Sequence, residues 1–330
     1  MFWDDYRKDT QHNNASAHDD VFDPTKAAIA PLADYRLISV VGPDARKFLQ
    51  GQCTCDFQNM GDNTFLTGAH CSPKGRMISS FVAAPQGTNT IALRLHESIA
   101  EIALSALQKY AVFSKVELTL LDEYVGFALL NTDNLSAFNT SLKIINPGQT
   151  SYQSQTLILQ HSSDNMEIWS TKESALAHLN AFASVDIQNN SNSWRLKNIQ
   201  SGIGEVQLPL TEKLLPQEMN FQEIGAVSFK KGCYTGQEII ARLHYKGQLK
   251  KHMARGCIKS EQKIETNQLI YTENTNEKPK GTVLNVAHSG ENTYEFLALC
   301  DDKIIDDNSC YIENNATTKI QWLTLPYAIN

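Results

Sequence analysis

No apolar run in this chain approaches the roughly 18 residues of a membrane-spanning helix, so no stretch of it reads as a membrane span and no membrane partner is expected. A glycine-rich phosphate loop, a Ser-His-Asp pattern and a His-Glu-x-x-His motif are also missing, and Gly202-x-Gly204 is too short a match to count. Phosphate cradling, serine hydrolysis and zinc peptidase chemistry are therefore not expected. Positive charge is short: 29 Lys and Arg face 36 Asp and Glu, a net charge of −7. That balance argues against broad electrostatic binding of nucleic acid, and no direct nucleic-acid partner is expected. The seven cysteines are odd in number and scattered, which is no disulfide framework; reduced thiols of a cytosolic protein fit them. The first twenty residues lack the basic start and apolar middle of a secretory signal and are too acidic for a transit peptide. A cytoplasmic location is the resulting expectation.

What is present is ordinary for a soluble globular protein: 330 residues, 42% hydrophobic and 20% charged, enough for two or three domains with real cores. Residues 1–30 are polar without a sustained period and read as a mobile tail. Residues 31–248 mix short strands with helices, an α+β texture expected to form two interleaved subdomains. Within them, alternation at 35–41 predicts a strand, Pro73-Lys74-Gly75 a hairpin turn inside 64–83, and the spacing of Ile99, Ile102, Ala103, Leu107 and Tyr110 a helix. Residues 112–121 read as a strand, 157–169 as a hairpin, Ser170 to Glu173 as a capping box, and 194–201 as a short helix ended by Gly202. From 249 to 330, strands at 253–258, 269–271, 281–286, 295–299 and 318–323 alternate with Asn, Gly, Asp and Pro turns. That is an all-β, barrel-like module.

The most informative stretch is Lys231-Gly232-Cys233-Tyr234-Thr235-Gly236-Gln237-Glu238. Two glycines let the backbone turn tightly around one cysteine. Thr235 and Glu238 have the form of a capping box, and Ile239-Ile240-Ala241 continues as a helix should. Cys233 then sits just outside a helix N-terminus, beside Lys230 and Lys231, where thiolate is favoured over thiol. Two readings stand: a reactive cysteine, or a small buried hydrophobe on a common loop. The strongest positive cluster, Lys230 and Lys231 with Arg242, Lys246, Lys250 and Lys251, likewise reads as a small-anion pocket or as a solvated face.

The whole string resembles the signature of the YgfZ-type folate-binding family, related to the T-protein of the glycine cleavage system. Further blocks carry the same resemblance in order: 37–45 with 48–52; Ala69-His70-Cys71-Ser72-Pro73-Lys74-Gly75-Arg76-Met77; 109–116; Trp194 with Asn198, Ile199 and Gly202; Leu215-Pro216-Gln217 to Asn220; and Ala241-Arg242 after the signature. The similarity runs from about Tyr35 to the C-terminus. It implies three domains in a ring around a folate, the last a β-barrel. It implies folate or tetrahydrofolate as the ligand, with Trp194 and Tyr35 at positions that look like family folate contacts; relatives often carry Trp where this chain has Tyr35. Arg242, Lys246 or Lys115 would pair with the glutamate tail.

Four chemistries follow. The resemblance implies a folate-dependent accessory protein for iron–sulfur cluster assembly or repair, acting through iron–sulfur enzymes on tRNA thiolation, with Cys233 as the reactive group. Its partners would be iron–sulfur assembly proteins or iron–sulfur client enzymes. The alternative is a tetrahydrofolate-dependent aminomethyl- or methyltransferase, which needs a carboxylate near the reacting nitrogen; Asp44 and Asp56 are the early candidates, and a helix cap and a turn are their plainer roles. A metal site from Cys53, Cys55, His70 and Cys71 lacks the usual spacing, so no stably bound metal is expected. Direct tRNA binding has no basic aromatic stripe to support it.

Overall fold

The computed structural model describes residues 2–9, 23, 25–132, 145–182, 185–273, 278–305 and 309–329. The chain divides into two compact units. One contains Met1–Phe48, Phe57–Leu66 and Val82–Trp194; the other contains Leu49–Asp56, Thr67–Phe81 and Arg195–Asn330. The architecture is α+β. Among the described residues no helix is long and apolar enough to cross a membrane.

In the first unit a six-stranded sheet runs in the order Asp186–Ile187, Ala28–Pro31, Tyr124–Leu130, Met166–Thr171, Thr156–Gln160, Thr150–Gln153. Only the first pair is parallel. The period of two on Tyr124–Leu130 sends Val125, Phe127 and Leu129 into one core with Ile29, Ile158 and Ile168, which Ala175 and Leu179 of the helix Lys172–Ala181 close. On the other face a Cβ at Gly126 would lie 2.6 Å from the Trp169 ring, so glycine is needed there. A second set of antiparallel strands places Tyr35–Val41 between Thr90–His96 and Glu117–Leu120, with Val82–Pro85 outside Thr90–His96. Its register sets Leu37 opposite Arg94.

Residues 2–9, read from the sequence as part of a polar tail, form the helix Phe2–Asp9, with Trp3 and Tyr6 buried. Phe2, Trp3 and Tyr6 gather on one side of it, an aromatic face that average composition conceals. Residues 10–22 and 24 of the expected tail lie outside the described residues. Residues 112–116 are no strand: the helix Ala100–Ala111 is followed by a turn, and the strand covers only Glu117–Leu120. The Ser170–Glu173 capping box does not form either. Ser170 belongs to a strand, and Thr171 flanks the helix without a side-chain cap.

The second unit holds a six-stranded antiparallel sheet in the order Cys310–Ile312, Leu269–Thr272, Gly281–Gly290, Thr293–Asp301, Lys251–Lys259, Gln321–Leu323. This is the all-β texture read after residue 248. Ile258, Ile270, Val283, Phe296, Ile312 and Ile320 fill its core. The hairpin turn at Ser72–Arg76 is closed by Ser72 N to Arg76 O at 2.8 Å, with Gly75 at φ +72. The helices Asn192–Gln200 and Gln237–Lys246 frame the long segment that carries the signature.

Candidate functional site

The helix that begins in the last two residues of the signature starts at Gln237, and the residue before it, Gly236, turns left-handed at φ +84. A Cβ on Gly236 would lie 2.6 Å from Ser72 O, so both the conformation and the space demand glycine. The Thr235–Glu238 capping box is therefore not made. Thr235 instead ties the loop to the segment before Cys53: its N–H donates to Gly51 O at 3.1 Å and its hydroxyl to Gln52 Oε1 at 3.1 Å. Glu238 is exposed.

Lys231 behaves differently from the sequence expectation. It is 8% exposed, and its ammonium donates to Cys53 O at 2.7 Å and to Cys55 O at 2.6 Å. It also lies 4.9 Å from the centre of the Tyr234 ring. Burial lowers its pKa below the ordinary lysine value. The lysine is a clamp on two backbone carbonyls. Gly232 and Cys233 stand exposed beyond it, and Tyr234 is buried. Of the seven thiols Cys233 is exposed, Cys257 is half-buried and the others are buried.

The remaining thiols near the signature are inert. Burial pushes Cys55 up to about 12 and raises Cys53 and Cys71 as well, so all three are neutral thiols at pH 7. Cys71 is thus a packed apolar cysteine. Among the described residues, no group of three or more His, Cys, Asp and Glu side chains is disposed to hold a metal ion.

His70, between Ala69 and Cys71, is 1% exposed, and neither ring nitrogen has a partner among the described residues. Burial lowers its pKa from 6.5 to about 4. The unfolded chain therefore takes up a proton at a pH where the folded chain does not. Stability is full above pH 6.5 and falls as the pH drops towards 4, by at most about 3 kcal/mol. His70→Leu is expected to remove this slope without loss of stability at pH 7, since an unpaired buried polar group is replaced by an apolar one. Urea unfolding at pH 7 and pH 5 checks it; the same pH dependence in wild type and variant would sink the idea.

Tyr35 and Trp194 lie in the first unit and are 1% and 2% exposed. They are linked by three charged or polar side chains. The Arg94 guanidinium stands 4.9 Å from the centre of the Tyr35 ring. Arg94 Nε lies 3.0 Å from Glu167 Oε1, which also accepts from Trp169 Nε1 at 2.7 Å. Glu167 Oε2 pairs with His161 Nε2 at 2.9 Å, and the His161 ring meets the Trp194 ring edge-on at 5.1 Å. Burial alone would raise the Glu167 pKa; Arg94, His161 and Trp169 together outweigh it and hold the carboxyl at about 2. At the end of this chain the Trp194 indole N–H is buried with no partner among the described residues. An acceptor brought by a ligand would satisfy it.

Arg242 is exposed on the helix Gln237–Lys246, in the second unit. Asp44 and Asp56 are both engaged: Asp44 Oδ2 accepts from Lys115 N at 2.9 Å and Asp56 Oδ1 from Gln50 Nε2 at 3.0 Å. Sequence reasoning missed Arg94, His161 and Glu167. The available signal was one charge inside each of two buried strands without other Lys, Arg, Asp or Glu, Arg94 in Thr90–His96 and Glu167 in Met166–Thr171. Opposite charges at such positions ask for each other.

No protein-family model matches the chain. The tRNA-modifying protein YgfZ of Aliivibrio fischeri is 30% identical over 308 residues, covering 92% of this chain and 93% of that protein. Its namesake in Enterobacter sp. is 28% identical over 322 residues, covering 93% and 96%. The Escherichia coli O157:H7 protein of that name is 32% identical over 237 residues, covering 68% and 71%. Among solved structures, the glycine cleavage system aminomethyltransferase T from Bartonella henselae superposes with a TM-score of 0.70 over 92% of this chain and 87% of its own, at 15% identity. That likeness is one of fold. The identity to the Aliivibrio fischeri protein, sustained over nearly the full length of both chains, makes this chain a member of the YgfZ family.

Proposed function

We propose that this protein binds a folate, as tetrahydrofolate, and supports iron–sulfur cluster assembly or repair and, through iron–sulfur enzymes, tRNA modification. The observation that carries the reading is the unpartnered indole N–H of Trp194 at the end of a buried network that begins at Tyr35. The pyrimidinone half of a reduced pteridine is flat and edged with hydrogen-bonding groups, which suits aromatic side chains and one unpartnered donor. Bound tetrahydrofolate would supply a carrier for a one-carbon unit. The chain's own part is to fix the aromatic residues: Glu167 orients Arg94 and His161, and these abut Tyr35 and Trp194 respectively. Cys233 is the group available to meet a partner's sulfur or cluster, because it is exposed while its neighbours Lys231 and Tyr234 are held. The transferase alternative is less well supported, since the side chains of Asp44 and Asp56 are already engaged.

Calorimetric titration with tetrahydrofolate and its formyl derivative tests the ligand. Wild type is expected to bind saturably. Trp194→Phe keeps a ring but loses the donor, and should weaken binding about tenfold, the worth of one hydrogen bond. Cys233→Ser should bind as wild type does, which separates ligand from thiol. Absence of binding to folded wild type, or unchanged affinity in Trp194→Phe, would remove the reading's main support.

A further inference from the structure

The second unit contains a cleft of about 550 Å³ whose lining includes Gln217, Gln222, Phe229, His244, His252 and Asp302. None of these belongs to the signature or to the Tyr35–Trp194 network. Gln217 is 3% exposed, and its Nε2 donates to Ile240 O at 2.6 Å. That bond fixes the carboxamide, because only the nitrogen can face a carbonyl. The atom left over is Oε1, which is buried without a partner among the described residues. Gln222 repeats the pattern. Its Nε2 faces Glu223 Oε1 at 3.4 Å, and its Oε1 is likewise buried and unpartnered. Buried acceptors in native structures are normally satisfied, so two of them on one cleft call for donors.

The rest of the lining says what kind of donor. Phe229 and His244 are stacked at 3.7 Å with an interplanar angle of 11°, and Tyr245 stands edge-on to both. Phe229 and His244, which line the cleft, make a flat aromatic wall. Asp302 Oδ1 lies 2.7 Å from His252 Nδ1, and the pair adds a polar edge to the cleft. Acceptors beside an aromatic wall suit a planar nitrogen heterocycle with N–H groups along one edge. Guanine is the simplest such base, with a ring N–H next to an exocyclic amine.

We propose that this cleft binds a guanine-type base, its donor edge on Gln217 and Gln222 and its ring against the aromatic wall. The occupant is a nucleoside or nucleotide rather than a long nucleic acid, given the chain's net charge of −7. The test is calorimetric titration of the full chain with guanosine, and with inosine, which lacks the amine. Saturable guanosine binding is expected, about tenfold weaker for inosine and about tenfold weaker in Gln222→Leu, a half-buried position where the fold should tolerate the change. Trp194→Phe should leave guanosine affinity unchanged. The proposal is overturned by the absence of guanosine binding to folded wild type, by equal affinity for inosine, or by unchanged affinity in Gln222→Leu. It is also overturned if tetrahydrofolate displaces guanosine in proportion, because a pterin carries the same donor edge and the cleft would then be a folate site. Failure of folate binding elsewhere leaves the guanosine result unaffected, so the two readings fail separately.

Discussion

Replacing Glu167 with alanine is expected to destabilise the protein by about 3 to 5 kcal/mol, because it removes the carboxylate that the buried Arg94 guanidinium pairs with. The two side chains are 0% and 6% exposed, so solvent cannot take over the lost contact. His161 and Trp169 lose their acceptor in the same step. Removing both charges should be milder than removing one: Arg94→Met with Glu167→Leu is expected to cost less than either single change, since no unpaired charge remains. Urea unfolding midpoints for the two singles and the double decide the matter. Singles within about 1 kcal/mol of wild type would mean that Arg94 finds solvent or another partner. The same pair sets an acid limit. The Glu167 carboxyl titrates near 2 in the folded protein, below its ordinary value of 4.5. Its stabilisation is therefore complete above pH 4.5 and is lost as the pH falls from there towards 2.

That network shows where the sequence stops being informative. Elements set by local pattern were legible. The alternation of Tyr35–Val41, the helix around Trp194 and the turn-punctuated strands after residue 248 all report periodicities that one stretch of chain carries by itself. The tight turn at the signature glycines was legible from their residue type, whereas the sequence left Cys233 open between an exposed and a buried thiol, and the fold exposes it. Residues 112–116 misled because Val112 and Phe113 favour strands, yet they are 76% and 89% exposed and belong to a turn. Thr235 misled because a capping box is a statement about sequence spacing, while Gly236 answers to Ser72 from a distant hairpin. Arg94, His161 and Glu167 are 94, 161 and 167 in one chain and neighbours only after two sheets form. Their chemistry is a property of tertiary register.

Lys231 belongs to the same class, with the fragment it holds lying 176 to 178 residues away. Lys231→Met keeps the apolar stem and removes the ammonium. It is expected to cost about 3 to 5 kcal/mol, because two charge-assisted hydrogen bonds to buried carbonyls are lost together. Lys230, exposed and one residue earlier, is the control: Lys230→Met should change stability by less than about 0.5 kcal/mol. Hydrogen exchange gives a second readout. The Thr235 amide, bonded to Gly51 O, should exchange faster in Lys231→Met, because the clamp and that bond hold the same loop to residues 51–55. Equal melting temperatures for the two variants, with Thr235 equally protected, would sink the clamp. If the clamp holds, the lysine before the signature cysteine serves its presentation: it anchors the loop from beneath, so that Gly232 and Cys233 face outward on a backbone that cannot collapse over the thiol.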